Sequence, residues 1–240
     1  MQQITGREAA VAVLNDPRFV VPPVPPGASG IAWLRATVGR FSSGPAHDRR
    51  RALAVAVLDA VPPATLRTGG GGHPVTVLAR ALGIAEPVTD LVREVAQAYQ
   101  PGTGDESRAD AAVDRLVTIL GGEYDEPTAA LIGVLTQACD ATATLIERAR
   151  HRPVDEVLHD DPPVRATRRE ALVATTVGGV TVRAGEVVLV GLAGGPAFGA
   201  GPRRCPGRDH ALALVAGALA RDSPTVHERT PDTIPGTGTD

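Results

Sequence analysis

Aromatic side chains are scarce: Phe, Tyr and Trp make up 2% of the 240 residues, and Trp33 is the sole tryptophan. A core without them must be packed from alanine, valine and leucine, which lets helices approach closely but offers few stacking surfaces. This argues against binding of single-stranded nucleic acid, which uses aromatic platforms for its bases. A net charge of −3 supplies no basic excess for nucleic acid either. Cysteines 139 and 205 are too few for a disulfide framework and fit a reducing compartment. No apolar run in the sequence approaches a membrane span, and the N-terminus lacks the basic-then-apolar order of a secretory signal. These features predict a soluble cytoplasmic protein with no membrane contact. The balance of 43% hydrophobic and 21% charged residues is that of a globular chain, long enough for one large domain or two small ones.

Apolar periodicity with start and stop residues predicts helices over 4–14 (Thr5 as cap, Asp16-Pro17 as stop), from Ser43 to before Pro62-Pro63, and over 74–82, 90–99 and 111–120. The longest helix opens at Asp125-Glu126-Pro127 and closes with Arg148 and Arg150, a charge order that suits the macrodipole at both ends. A short helix follows over 154–159. Residues 19–30 read as a proline-rich loop and 69–72 as a glycine joint. After Pro162-Pro163 the period changes to two, giving strands over 172–177, 180–182 and 187–192, joined by Gly178-Gly179 and Ala184-Gly185 turns. A last helix covers 211–220. The tail 222–240, rich in Pro, Thr and Asp, is expected to be disordered. No internal repeat is present. The fold expected over residues 1–221 is mainly α with a small β-region near the C-terminal end.

The most informative stretch is Phe198-Gly199-Ala200-Gly201-Pro202-Arg203-Arg204-Cys205-Pro206-Gly207. One cysteine stands in a glycine-rich loop ahead of a helix, where N–H groups and the helix dipole favour a thiolate. Arg203 and Arg204 act in the same direction. Glycines at 199, 201 and 207 permit conformations that other residues resist and allow a flat ligand to come close. Such a loop suits a single thiolate ligand on a metal, haem iron among them. A glycine-rich turn with a structural cysteine is the plain alternative.

The pattern Phe-Gly-x-Gly-x-Arg-x-Cys-x-Gly resembles the haem-ligand loop of the cytochrome P450 haem-thiolate monooxygenases, in an actinobacterial-type form, and every fixed position is met. The resemblance implies haem b with Cys205 as its proximal ligand, and Phe198, Gly199, Arg203 and Gly207 as loop residues at the cofactor, Arg203 on a propionate. His47 and Arg51 look like the family's His-x-x-x-Arg over a propionate; four residues apart, they share a helix face. A solvated basic helix start is the alternative. Arg169 resembles the arginine on the other propionate, with Arg168 open as an alternative because the register is ambiguous by one.

Gln137-Ala138-Cys139-Asp140-Ala141-Thr142 looks like the oxygen-activation segment of the long helix. Ala138 takes the small-residue place, which leaves room above the iron, and Asp140 the acid place, from which protons are delivered. The alcohol place holds Ala141, which cannot donate a hydrogen bond, and Thr142 follows it. Cys139 reads as a small buried hydrophobe. Glu156 matches the first residue of the family's Glu-x-x-Arg lock, whereas His159 stands at its arginine, shorter and unable to fork to two acceptors.

Family members are longer. The resemblance implies that the N-terminal strands and first helix are absent here, that the segment between the long helix and Glu156 is cut to a few residues, and that only residues 193–197 remain of a long loop before Phe198. The function expected is that of a minimal monooxygenase acting on a small organic substrate. A degenerate, non-catalytic haem-binding or partner protein is the rival, and peroxide-driven oxidation a third reading. Arg203, Arg204 and Arg208, with Arg49 and Arg50, offer a basic face for a ferredoxin-type electron donor. A homo-oligomer or another protein is the expected cover for apolar surface left by the missing segments.

Overall fold

The computed structural model describes residues 1–222. Ten helices are found among them: α1 (Arg7–Asn15), α2 (Gly30–Thr37), α3 (Gly44–Asp59), α4 (Pro63–Thr68), α5 (Pro74–Ala81), α6 (Thr89–Ala98), α7 (Glu106–Leu120), α8 (Glu126–Ala149), α9 (Val154–Asp160) and α10 (Arg208–Asp222). Strands β1 (Gln3–Ile4), β2 (Phe19–Val20), β3 (Ala166–Ala171) and β6 (Val187–Gly191) form one sheet in the order β1-β6-β3-β2. β1 runs parallel to β6, and the other pairs are antiparallel. β4 (Thr175–Val177) and β5 (Val180–Val182) form a separate hairpin about Gly178-Gly179.

α8 is the axis of the helical part. α2, α3, α5, α6 and α10 all pack on it, around a core that includes Leu34, Leu78, Val95, Leu116, Ile132 and Leu135. A second core lies between the sheet and α1, built from Ile4, Val13, Phe19, Val188 and Val190. A third joins the C-terminal end of α8 to α9 and α10 through Leu145, Ile146, Val157 and Val215. The small side chains suit this close helix packing.

The heads of α7 and α8 follow ordinary capping chemistry. Asp125 accepts the Thr128 N–H at 2.8 Å at the head of α8, and Asp105 accepts the Arg108 N–H at 3.2 Å at the head of α7. α7 therefore begins at Glu106, five residues before its apolar period. The remote Asp110 carboxylate accepts the Ile31 N–H at 2.8 Å in the first turn of α2.

Several expectations are corrected. The first helix starts after Gly6, not at Ile4, because Ile4 is drawn into β1 beside Val190. An N-terminal strand is thus present where none was expected. Part of the proline-rich loop pairs as β2 with β3, and α2 and α4 lie in segments, after Gly30 and after Pro62, for which no element was expected. The strand expected at 172–177 is divided: Leu172 and Val173 are exposed, and the sheet strand is the preceding, arginine-rich β3. Asp222 closes α10 and pairs with Arg150 at 2.9 Å; the remainder of the predicted tail lies outside the described residues. α8 alone among the described residues is long and apolar enough to cross a membrane, contrary to the sequence reading, and 61% of its apolar window is buried inside the protein.

Arg49 and Arg50, on the first turns of α3, both grip Glu126 at the head of α8, with contacts of 2.7 and 2.8 Å. Their hydrogen bonds hold the Glu126 carboxyl down at about 2. A depressed carboxylate pKa stabilises the folded state above the ordinary glutamate range and loses that effect as pH falls through it toward about 2. Glu126→Gln is therefore expected to destabilise the protein by about 1 kcal/mol at pH 7 and by much less at pH 3. Urea unfolding of both proteins at the two pH values measures this, and a constant difference would contradict it.

Candidate functional site

Cys205 ends a loop built on β6 and pinned at several points. Its N–H donates to the Phe198 carbonyl at 2.8 Å, that of Gly199 to Pro196 at 2.7 Å, and that of Arg204 to Gly201 at 3.1 Å. Gly199 and Gly201 take positive φ of 73° and 65°. At Gly201 the loop also presses on the end of α1: an added Cβ would lie 2.7 Å from Asn15 Oδ1 and 2.8 Å from the Leu14 carbonyl. Gly207 differs from the expectation. It has no positive φ, and a Cβ there would meet only Leu58, at 3.7 Å. The Phe198 ring is covered by the Arg208 guanidinium, 5.7 Å from its centroid.

The thiol of Cys205 is exposed, yet surrounding protein is the largest influence on it and pushes its pKa up. The Gly207 N–H and the charges of Arg51, Arg40 and Arg204 oppose that rise by favouring the thiolate.

Around this sulfur stand cations with almost no acid among them. Arg169 is 5% exposed; it points inward from β3 and, among the described residues, donates to Thr167 Oγ1 at 3.0 Å and the Arg168 carbonyl at 2.7 Å. Burial, then Arg203 and Arg40, lower its pKa to about 10. The β3–β6 register, with Arg169 opposite Val188, turns Arg169 inward and leaves Arg168 half-buried beside it. Arg203 is also held below its usual value, by burial and then by Arg51. It ties the loop to the 3-10 turn Gly39–Phe41, donating to the carbonyls of Ser42 and Gly39 and to Ser43 Oγ. Arg51 donates to the Arg204 carbonyl at 2.7 Å. His47 is buried, with Nδ1 3.0 Å from Asp48 Oδ1; desolvation, with Arg203 and Arg51 adding to it, lowers its pKa and favours the neutral ring. His47, Arg51, Arg169, Arg203 and Cys205 are thus gathered in one basin. Sequence reasoning missed Arg40, whose position in the 3-10 turn carries no spacing signal.

The α8 segment is not bonded to that basin. Asp140 is exposed, and its charge acts on His73 at the head of α5, where Arg93 of α6 also acts. Ala138 and Ala141 are half-buried, Thr142 is 4% exposed, and Cys139 is fully buried in the main core. Burial and Asp140 push the Cys139 thiol up to about 12, which keeps it protonated.

Glu156 and His159 are exposed and turn to Arg152 and Asp160. Asp161 instead receives Arg148 from α8, on its carbonyl and at 3.2 Å on its carboxylate, and Arg165 at 3.0 Å. The basic face sketched from sequence is also reduced: Arg49 and Arg50 are engaged by Glu126, and Arg203 turns inward.

Gly201→Ala is expected to destabilise the chain by about 1–2 kcal/mol, since an L residue at positive φ costs that much before any clash. Gly207→Ala should fall within about 0.5 kcal/mol of the parent, as for substitutions away from strained or packed sites. Urea unfolding of both variants separates the two glycines.

No protein-family model matches the sequence, and no curated protein matches it. Solved structures match through their shape. P450BioI, solved with acyl carrier protein ligated to hexadec-9Z-enoic acid, is 18% identical with a TM-score of 0.64, over 92% of this chain and 83% of that one. A Bacillus megaterium cytochrome P450 solved with testosterone is 16% identical with a TM-score of 0.64, over 91% and 83%. The P450 enzyme CxnD, for C–S bond formation in chuangxinmycin biosynthesis, is 16% identical with a TM-score of 0.64, over 91% and 78%. The chain has a shortened cytochrome P450-like fold.

Proposed function

We propose that this chain is a compact haem-thiolate protein, a monooxygenase of cytochrome P450 type that oxidises a small organic substrate, with haem b held through Cys205. The observation that carries this reading is the meeting of one thiol with guanidiniums that have no carboxylate ion pair among the described residues. Buried arginine without an acid is costly unless an anion joins it, and two propionates with a thiolate-bound metal answer that need. The residues therefore fit the group. Cys205 would supply the axial sulfur, and Arg51, Arg169 and Arg203, with His47, would hold the propionates.

When bound, haem supplies the oxidation. The chain's part is electrostatic and positional. The Gly207 N–H and the charges near Cys205 favour the sulfur as thiolate against its burial. Asp140, exposed on α8, is the proposed point of proton entry from solvent, and Thr142 supplies a hydroxyl on the buried side of the same helix. Ala138 keeps the helix surface small beside them. Arg204 and Arg208 are left to meet a ferredoxin-type donor.

A non-catalytic haem protein is the second reading. It is favoured by the exposed Glu156 and His159, paired with Arg152 and Asp160, and by the charge of Asp140 acting on His73 at the head of α5.

The test is the carbon monoxide difference spectrum of reduced, haem-supplemented protein. A strongly red-shifted Soret band is expected, and Cys205→Ala should abolish it. Arg169→Gln removes one charge-assisted contact and should weaken haem binding about tenfold. No haem uptake would overturn the proposal. The band without substrate oxidation, with either a ferredoxin system or peroxide, would favour the second reading.

A further inference from the structure

The proline-rich stretch between β2 and α2, Val21-Pro22-Pro23-Val24-Pro25-Pro26, takes no part in the site described above. Each proline fixes its own φ near the polyproline II value. Val21, Pro22, Val24 and Pro25 each precede a proline, which bars them from the helical region. No peptide bond among the described residues is cis. Sterics alone therefore hold this segment as a left-handed polyproline II strap with three residues per turn.

Both ends of the strap are fixed. Before it, Val20 pairs with Glu170 in the sheet, and the Leu172 N–H donates to the Arg18 carbonyl at 2.8 Å. After it, Gly27 lies so close to α2 that a Cβ there would be 2.5 Å from the Trp33 nitrogen. Between these anchors, residues 21–27 make no hydrogen bond among the described residues, so their carbonyls are open to an outside donor. Exposure follows the three-residue period. Val21, Val24 and Gly27 share one edge, and all three are half-buried. Pro23 and Pro26 share a second edge and are exposed; on the third, Pro22 is half-buried and Pro25 exposed. Residues 19–29 carry no ionisable side chain, and Arg18 before them is forked onto Asp16 at 2.6 Å.

We propose that this strap is a docking ligand for a partner protein whose groove is lined by aromatic rings and has an uncharged rim. The dipeptides Pro22-Pro23 and Pro25-Pro26 face outward, with Val24 as the inward spacer. Pro23 and Pro26, about 9 Å apart along the strap, are the two anchors. Aromatic grooves take up such edges, and tryptophan or tyrosine donors in them meet the open carbonyls. The strap is held in its bound form beforehand, so docking adds little ordering cost. With no free cation beside the prolines, an acidic rim gains nothing, and added salt has no ion pair to screen. None of these residues belongs to the Cys205 basin, so the inference stands apart from the haem reading.

The experiment is two-dimensional NMR of isotope-labelled SH3 and WW domains, with neutral and with acidic groove rims, titrated with the unlabelled full chain. A saturable shift of the groove tryptophan indole N–H is expected for the neutral-rimmed domains, unchanged on adding salt. Pro23→Ala and Pro26→Ala should each weaken binding about tenfold. Both side chains are exposed, so the thermal midpoint of the chain should stay near that of the parent; should one variant unfold, the other carries the test. Pro87→Ala, at an exposed proline ahead of α6, should bind as the parent does. The absence of a groove shift with every domain would overturn the inference and leave the strap a rigid spacer. So would binding that survives both strap substitutions, binding lost equally in Pro87→Ala, or a preference for acidic rims.

Discussion

Guanidinium groups donating to main-chain carbonyls hold together the segments around Cys205. Arg203 spans from the thiol loop to Gly39 and Ser42, Arg51 reaches the Arg204 carbonyl, and Arg50 the Ala36 carbonyl. Arg35 closes the end of α6 on Ala98 and Tyr99, and Arg148 joins α8 to Asp161. All 24 basic residues other than histidine are arginine. A planar fork with several donors can bridge two carbonyls where an ammonium would serve one direction at a time. Short helices and loops with little apolar area between them are joined in this way, and their orphan terminal carbonyls are satisfied by the same bonds.

That arrangement has an electrostatic consequence. Arginines bound to carbonyls are hydrogen-bonded but not neutralised, so positive charge accumulates where several meet. The depressed values of Arg169 and Arg203, and of His47 beside them, express the repulsion together with burial. The charge would favour an anionic occupant and a thiolate at Cys205. At Glu126 the opposite logic operates: two arginines share one carboxylate, and the result is a structural clasp between α3 and α8.

Much of the fold could be read from local signals. α5, α6 and α8 carry clear apolar periods with proline or aspartate at their starts, α3 is marked by its Ser43 and Pro45 start and the Pro62-Pro63 stop, and the β4–β5 hairpin announces itself through Gly178-Gly179. The elements that were not legible have no local cause. β1 and β2 are two residues long and are strands only because β6 and β3 lie beside them. β3 holds two consecutive arginines, a poor strand signature, and is ordered by pairing on both edges. The first turn of α2 is held by Asp110, far along the chain.

The candidate site divides in the same way. The sequence by itself determined the spacing of Cys205 within its glycine-rich loop, the placing of His47 and Arg51 on one helix face, and the presence of His159 three residues after Glu156, because each is a local pattern. Only the tertiary structure shows that Arg169 is buried and Arg168 half-buried, since strand register sets which side chain turns inward. It also moved Arg49 and Arg50 from a presumed docking face into the Glu126 clasp, and brought Arg40 to Phe41, Tyr99 and the Cys205 basin. Charge acts through space, and the partner of a guanidinium some 76 residues away in the chain is set by packing, not by sequence neighbourhood.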